Sequence, residues 1–230
     1  RTCGGEPNRL ARTYHSGETG DLAHVVERLA AERPGRPLLV AGFSLGGNVV
    51  VKYLGEGGEA LPAPLRGGAA LSVPFDLAAS SRRLDGPGRL MWVYRQRFLR
   101  RLRRKAAAKA RSHPGSFDAA AVARATTFAA FDELMTAPLH GFTSRHDYYA
   151  RSSSAQFLPG VRRPLLCLSA ADDPMVPREA LPTALAAGNP AVRLVVTAQG
   201  GHTAFVDGLP VRPGFWGERT AADFLAGLAR

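Results

Sequence analysis

Residues 40–49, VAGFSLGGNV, decide how the rest of the chain reads. The apolar run from Pro37 breaks at Gly42-Phe43-Ser44-Leu45-Gly46-Gly47 and resumes in NVVVKYL. A buried strand that turns at once into a helix puts Ser44 at the corner. Glycines on either side admit a strained backbone there and leave the hydroxyl projecting, as a nucleophile must. A helix starting at Leu45 turns its unpaired N–H groups toward the space in front of that hydroxyl. Glycine and serine also make ordinary turns, so the Gly-x-Ser-x-Gly spacing needs support from the rest of the chain.

Outward from the turn, residues 19–33 place Leu22, Val25, Val26, Leu29 and Ala30 at helical spacing, and Pro34-Gly35 stops them. PLLVAGFS then reads as a strand and LGGNVVVKYLGEGG as a helix. LRGGAALSVPFD at 65–76 supplies another strand, followed by helical patterning from about Leu77 to Ser154. Alternation returns with a strand in RPLLCLSA, a short helix near 178–187, a strand in VRLVVTA and a last helix in WGERTAADFLAGLAR. Strands alternating with helices predict a mostly parallel sheet covered on both faces.

A serine hydroxyl needs a base, and the base needs an orienting carboxylate. Two strands open into loops that carry them: LLCLSAADDPMVP, with Asp172 and Asp173, and LVVTAQGGHTAF, with His202. The chain order serine, acid, histidine is the order this strand–turn–helix arrangement uses. Of the two aspartates, Asp173 is taken as the acid because it opens DPMVP, and Asp172 as a residue that caps or holds the loop.

Composition narrows the function class. The chain has 230 residues, 45% of them hydrophobic, enough for one sizeable α/β domain, or two small ones, without disulfide staples. No stretch approaches the ~18 uninterrupted apolar residues of a membrane span. Cys3 and Cys167 have neither disulfide nor metal-ligand spacing, which fits a reducing, cytoplasmic setting. The formal net charge is +11, and all but Lys52, Lys105 and Lys109 of the 30 basic residues are arginine. That bias, beside abundant Ala, Gly and Pro, points to base composition of the genome more than to nucleic-acid contacts. The basic run MWVYRQRFLRRLRRKAAAKAR at 91–111 places Met91, Arg95, Phe98, Leu102 and Ala106 on one stripe, with Leu99 beside it. A helix that packs this narrow stripe and solvates its arginines is one reading, and peripheral contact with an anionic membrane is another. Nucleic acid is disfavoured, since no zinc-ligand spacing or RNA-binding aromatic signature accompanies the charge.

Several further stretches stand out: RTCGGEPNR at 1–9, YHSGETGDL at 14–22, GFSLGGN at 42–48, and a signature from Asp132 to Asp173. Within that signature fall Gly141-Phe142, Asp147-Tyr148-Tyr149, Ser153, Val161, Pro164, Leu166, Leu168 and Asp172-Asp173. Together they resemble the YheT-like branch of the α/β-hydrolases, which includes plant embryogenesis-associated proteins and animal abhydrolase-domain lipases. The resemblance implies one α/β-hydrolase domain over 1–230, with a helical lid inserted at about 77–155 and a catalytic set of Ser44, Asp173 and His202. Leu45 N–H would hold the oxyanion, no metal or organic cofactor is required, and the substrates would be short-chain or lipid esters. In such hydrolases the segment ahead of RTCGGEPNR supplies the first strands and the second oxyanion donor, so the chain is expected to be N-terminally truncated. LHGFTS at 139–144 belongs to the lid signature rather than to that missing loop. Thioester hydrolysis or acyl transfer is the neighbouring chemistry. A non-catalytic module binding anionic lipid or nucleic acid through the basic helix is the alternative of another class.

Overall fold

The computed structural model describes residues 6, 8–209 and 211–230, so Cys3 and most of the RTCGGEPNR stretch lie outside the described residues. The chain divides into two compact units. One takes in Ser16–Asp76 and Ser152–Arg230, and the other the residues up to His15 with Leu77–Arg151.

The first unit is built on a four-stranded parallel sheet of consecutive order, β1 (Leu38–Phe43), β2 (Leu65–Leu71), β3 (Leu165–Ala170) and β4 (Val192–Thr197). These are the four strands that the alternation predicts. Strand β3 is buried along its whole length, as expected of a strand covered on both faces. Its side chains divide by the two-residue period. Leu165 and Cys167 join Val40, Leu65 and Val192 in a core shared with α1 (Gly20–Glu32), α2 (Leu45–Gly57) and α9 (Thr183–Ala187). Leu166, Leu168 and Ala170 point the other way, into a core with Ala221 and Phe224 of α10 (Trp216–Leu228). Burial pushes the Cys167 thiol up to about 12, leaving it protonated and inert.

The sequence gives no sign of the antiparallel ribbon of β5 (Val206–Leu209) and β6 (Arg212–Phe215). Nearly every residue in it is exposed, so neither strand carries the apolar alternation that betrays a half-buried strand, and its Gly and Pro residues read as loop.

The second unit is helical. Along the chain come α3 (Leu77–Asp85), α4 (Arg89–Ser112), α5 (Ala119–Arg124), α6 (Phe128–Phe131), a π-helical turn at Asp132–Thr136, α7 (Ala137–Leu139) and α8 (Arg145–Ser152), whose last residue passes to the sheet unit. Asp118 and Thr127 cap α5 and α6 through their side chains. Helix α4 packs through Leu99 and Ala106, with Leu102, against Val122, Phe131 and Met135. Phe98, counted into the packed stripe by its spacing, sits at the edge and is exposed. Lys109 is also unlike its basic neighbours: it is buried, and its Nζ donates to the carbonyls of Asn8 and Leu10 at 3.0 and 2.7 Å. Among the described residues, no helix is long and apolar enough to cross a membrane.

Candidate active site

Ser44 follows β1 and precedes α2 with φ +51° and ψ −119°, a backbone conformation that side-chain-bearing residues rarely adopt. Two backbone hydrogen bonds hold it there. Its N–H donates to the carbonyl of Leu71 at 2.8 Å, and its own carbonyl accepts from Asn48 N–H at 3.0 Å. The glycines around it have unequal duties. A Cβ on Gly42 would lie 2.3 Å from the Gly46 carbonyl oxygen, and one on Gly47 would lie 2.8 Å from a Val73 methyl. Nothing lies within 4 Å of a Cβ on Gly46. Crowding around the turn therefore falls on Gly42 and Gly47, whereas sequence reasoning assigns it to both neighbours of Ser44 in the motif.

Helix α2 is anchored by a residue to which the sequence assigned no role. Asn48 is fully buried, and its Nδ2 donates to the carbonyls of Ser16 and Ser152, both at 2.8 Å. Its Oδ1 accepts from Ser154 N–H at 3.1 Å. All of its amide capacity but one lone pair is used, so the second turn of α2 is tied to both flanking segments of the same unit.

The loops after β3 and β4 bring the acid and the histidine to Ser44. His202 Nε2 lies 2.8 Å from Ser44 Oγ. On the other side of the ring, Nδ1 lies 2.9 Å from Asp173 Oδ2 and 3.1 Å from Oδ1. The Asp173 side chain is 1% exposed and that of His202 16%. Asp173 Oδ1 also accepts from Met175 N–H at 2.8 Å and Val176 N–H at 3.1 Å, which fixes the plane of the carboxylate. A Nδ1–H donated to the carboxylate leaves Nε2 free to accept the serine proton. Asp172 does a different job, accepting from Gly201 N–H at 2.9 Å and so holding the loop that carries His202.

That loop is closed from behind by Phe205, a buried residue at φ +39°. Its N–H donates to the Gly200 carbonyl and its carbonyl accepts from Trp216 N–H, both at 3.0 Å. Its ring stands where a Cβ on Gly200 would be, 2.6 Å away. The short spacing GGHTAF in the sequence is the trace of this packing. Leu45, the residue assigned to the oxyanion, is the first residue of α2, where a helix N–H has no partner within the helix. Ser44, Leu45, Asp173 and His202 all belong to the sheet unit.

Comparison with known proteins agrees with this architecture. Residues 1–209 match the family described as the alpha/beta hydrolase fold. YheT of Escherichia coli (strain K12) is 34% identical over 98% of this chain and 65% of its own length. Phospholipase ABHD3 of Mus musculus is 34% identical over 99% of this chain and 55% of its own length. The chain thus spans less than two thirds of either relative. Among solved structures, the Pyrococcus furiosus esterase Pf2001 superposes with a TM-score of 0.54 at 18% identity, over 95% of this chain and 66% of the esterase. With a parallel sheet carrying helices on both faces, a serine at the strand-to-helix corner and a family match over residues 1–209, the chain belongs to the α/β-hydrolase fold family.

Proposed function

We propose that this chain carries the nucleophile, base and acid of a serine hydrolase that cleaves carboxylic esters. The observation that carries the reading is the continuous contact from Ser44 Oγ through His202 to the buried Asp173 carboxylate. Ser44 Oγ attacks the acyl carbon while His202 Nε2 takes its proton, and Asp173 keeps the imidazole in the receptive tautomer and stabilises its charged form. Leu45 N–H, at the positive end of α2, stabilises the oxyanion of the tetrahedral intermediate. Collapse expels the alcohol, which receives the proton from His202. Water then repeats the cycle on the acyl-enzyme and releases the carboxylic acid. The helical segment lies, in chain order, between β2 and β3, where the resemblance implies a lid. The name of the phospholipase relative supports an acyl lipid as the substrate, with a short acyl ester as the other substrate class of this reading.

The test is covalent labelling by a fluorophosphonate of this chain, by itself and within its full-length protein, followed by hydrolysis of p-nitrophenyl esters of increasing chain length. Labelling that Ser44→Ala abolishes and that Asp173→Asn slows by ~10⁴, the cost of the wrong histidine tautomer, is expected. A folded full-length protein that stays unlabelled would overturn the reading. Matched oxygen and sulfur esters, offered with an acceptor alcohol, separate ester hydrolysis from thioester hydrolysis and acyl transfer.

A further inference from the structure

The solvent face of α4 has no part in the hydrolysis proposed above. Leu90, Val93, Arg97, Arg100, Arg101 and Arg104 share that face at 3.6 residues per turn, and all six are exposed. No Asp or Glu occurs anywhere in the 24 residues of the helix. Arg97 faces Arg101, and Arg100 faces Arg104, one turn apart, an arrangement in which like charges destabilise a helix. Among the described residues, none of these four arginines has a carboxylate partner. An opposing surface of negative charge would relieve that repulsion.

The N-terminal end of the same helix has a second character. Around its first turn Leu90, Trp92 and Val93 are 55%, 57% and 52% exposed, Leu90 and Val93 on the arginine face and Trp92 about 100° round the helix from Val93. Trp92 and Val93 also line a groove with residues 86–89 and Arg95. Arg95 braces the turn beneath that groove by donating to the carbonyls of Leu84 at 3.3 Å and Gly86 at 3.1 Å. A polynucleotide would meet the arginines but leave Leu90 and Val93 against water. A lipid interface accepts both, with tryptophan at the headgroup level and guanidinium groups on phosphate.

We propose that the solvent face of α4 docks on an anionic phospholipid surface. Leu90, Trp92 and Val93 enter the boundary between headgroups and acyl chains, and Arg97, Arg100, Arg101 and Arg104 lie along the phosphates. Leu90 and Arg104 stand about 21 Å apart along the axis, so the helix enters tip first and inclined. The docking does not use Ser44 and goes beyond the ester-hydrolase reading.

Co-sedimentation of the chain with vesicles tests it, comparing phosphatidylcholine alone with phosphatidylcholine carrying about one third phosphatidylserine. Binding to the anionic vesicles alone is expected, with a blue shift of tryptophan emission that Trp92→Phe removes. Replacing Arg97, Arg100 and Arg104 by Gln should weaken binding on the order of 100-fold, from about fivefold per arginine near an anionic surface. All of these positions are exposed, and a circular-dichroism melt confirms that each variant is folded. Ser44→Ala should bind vesicles as the parent does, so a failed hydrolase reading and a failed docking reading give different results. Equal binding to both vesicle types, or binding indifferent to the three arginines, overturns the proposal. So does an oligonucleotide that binds as tightly as the anionic vesicles with an affinity unmoved by Leu90→Ser and Trp92→Ser.

Discussion

At Ser44 the backbone takes a strained conformation so that one hydroxyl can meet a histidine carried by a loop more than 150 residues further on. The strain persists because its surroundings over-determine it: the Leu71 carbonyl, the Asn48 N–H and the absence of a Cβ at Gly42. Gly42 and Gly46 should therefore respond differently to the same added methyl. Gly42→Ala forces backbone atoms apart and should cost several kcal/mol or prevent folding, in the range of severe overpacking. Gly46→Ala meets open space within α2 and should raise stability by up to about 1 kcal/mol, the helix-propensity gain of Ala over Gly. Denaturant midpoints of the two variants decide the matter, and a Gly42→Ala protein as stable as the parent would contradict the packing described here. If Gly46→Ala gains stability but loses esterase turnover, that open space belongs to the substrate.

Among the elements, α2 is the one whose placement decides the site, and Asn48 decides the placement of α2. Removing its amide breaks three hydrogen bonds, to two carbonyls and from one N–H. Asn48→Ala should cost about 3 kcal/mol, at about 1 kcal/mol for each hydrogen bond lost. Asn48→Asp should cost at least as much, because its carboxylate would face the carbonyls of Ser16 and Ser152. Chemical denaturation of both, with fluorophosphonate labelling of whatever folds, measures stability and site geometry together. Phe205 makes the matching prediction for the histidine loop. Phe205→Ala empties the space behind Gly200 and should lower stability by 3–5 kcal/mol, the usual loss for a buried phenylalanine. Any folded fraction should label with fluorophosphonate more slowly, since His202 is then less firmly aimed. Unchanged labelling in a folded Phe205→Ala protein would mean that Asp172 alone positions the loop.

Over the whole molecule, what was legible in the sequence is what repeats or breaks regularly. The four parallel strands declared themselves by apolar runs between helical stretches, and Ser44 by the abrupt glycines. Asp173 and His202 declared themselves by standing where strands end. The exposed ribbon of β5 and β6, the buried ammonium of Lys109 and the links of Asn48 leave no periodic trace, because each depends on which distant carbonyl comes near.

Asp132 shows the same dependence on distant partners, and it gives the helical unit an ionisable interior. Its Oδ1 accepts from Thr136 Oγ1 at 2.7 Å and its Oδ2 from Tyr149 OH at 2.8 Å. Tyr149 spends its only proton on that bond, so Ser81 Oγ, 2.9 Å away, donates to the phenol. Burial, with the Asp85 carboxylate adding to it, outweighs these hydrogen bonds and raises the Asp132 carboxyl from 3.8 to about 6. A raised acid binds its proton more tightly folded than unfolded. Stability from this group is therefore greatest below about pH 4, falls as pH rises through 6 and levels off above it. The difference of about two pH units corresponds to about 3 kcal/mol across that window. Asp132→Asn removes the titration, so the stability of the variant relative to the parent should improve by about that amount between pH 4 and pH 7. Thermal melts of both proteins across this range measure the difference while the other carboxylates cancel. A relative stability that stays flat, or runs the other way, would show that Asp132 is already ionised well below pH 6 and that Tyr149 and Thr136 outweigh its burial.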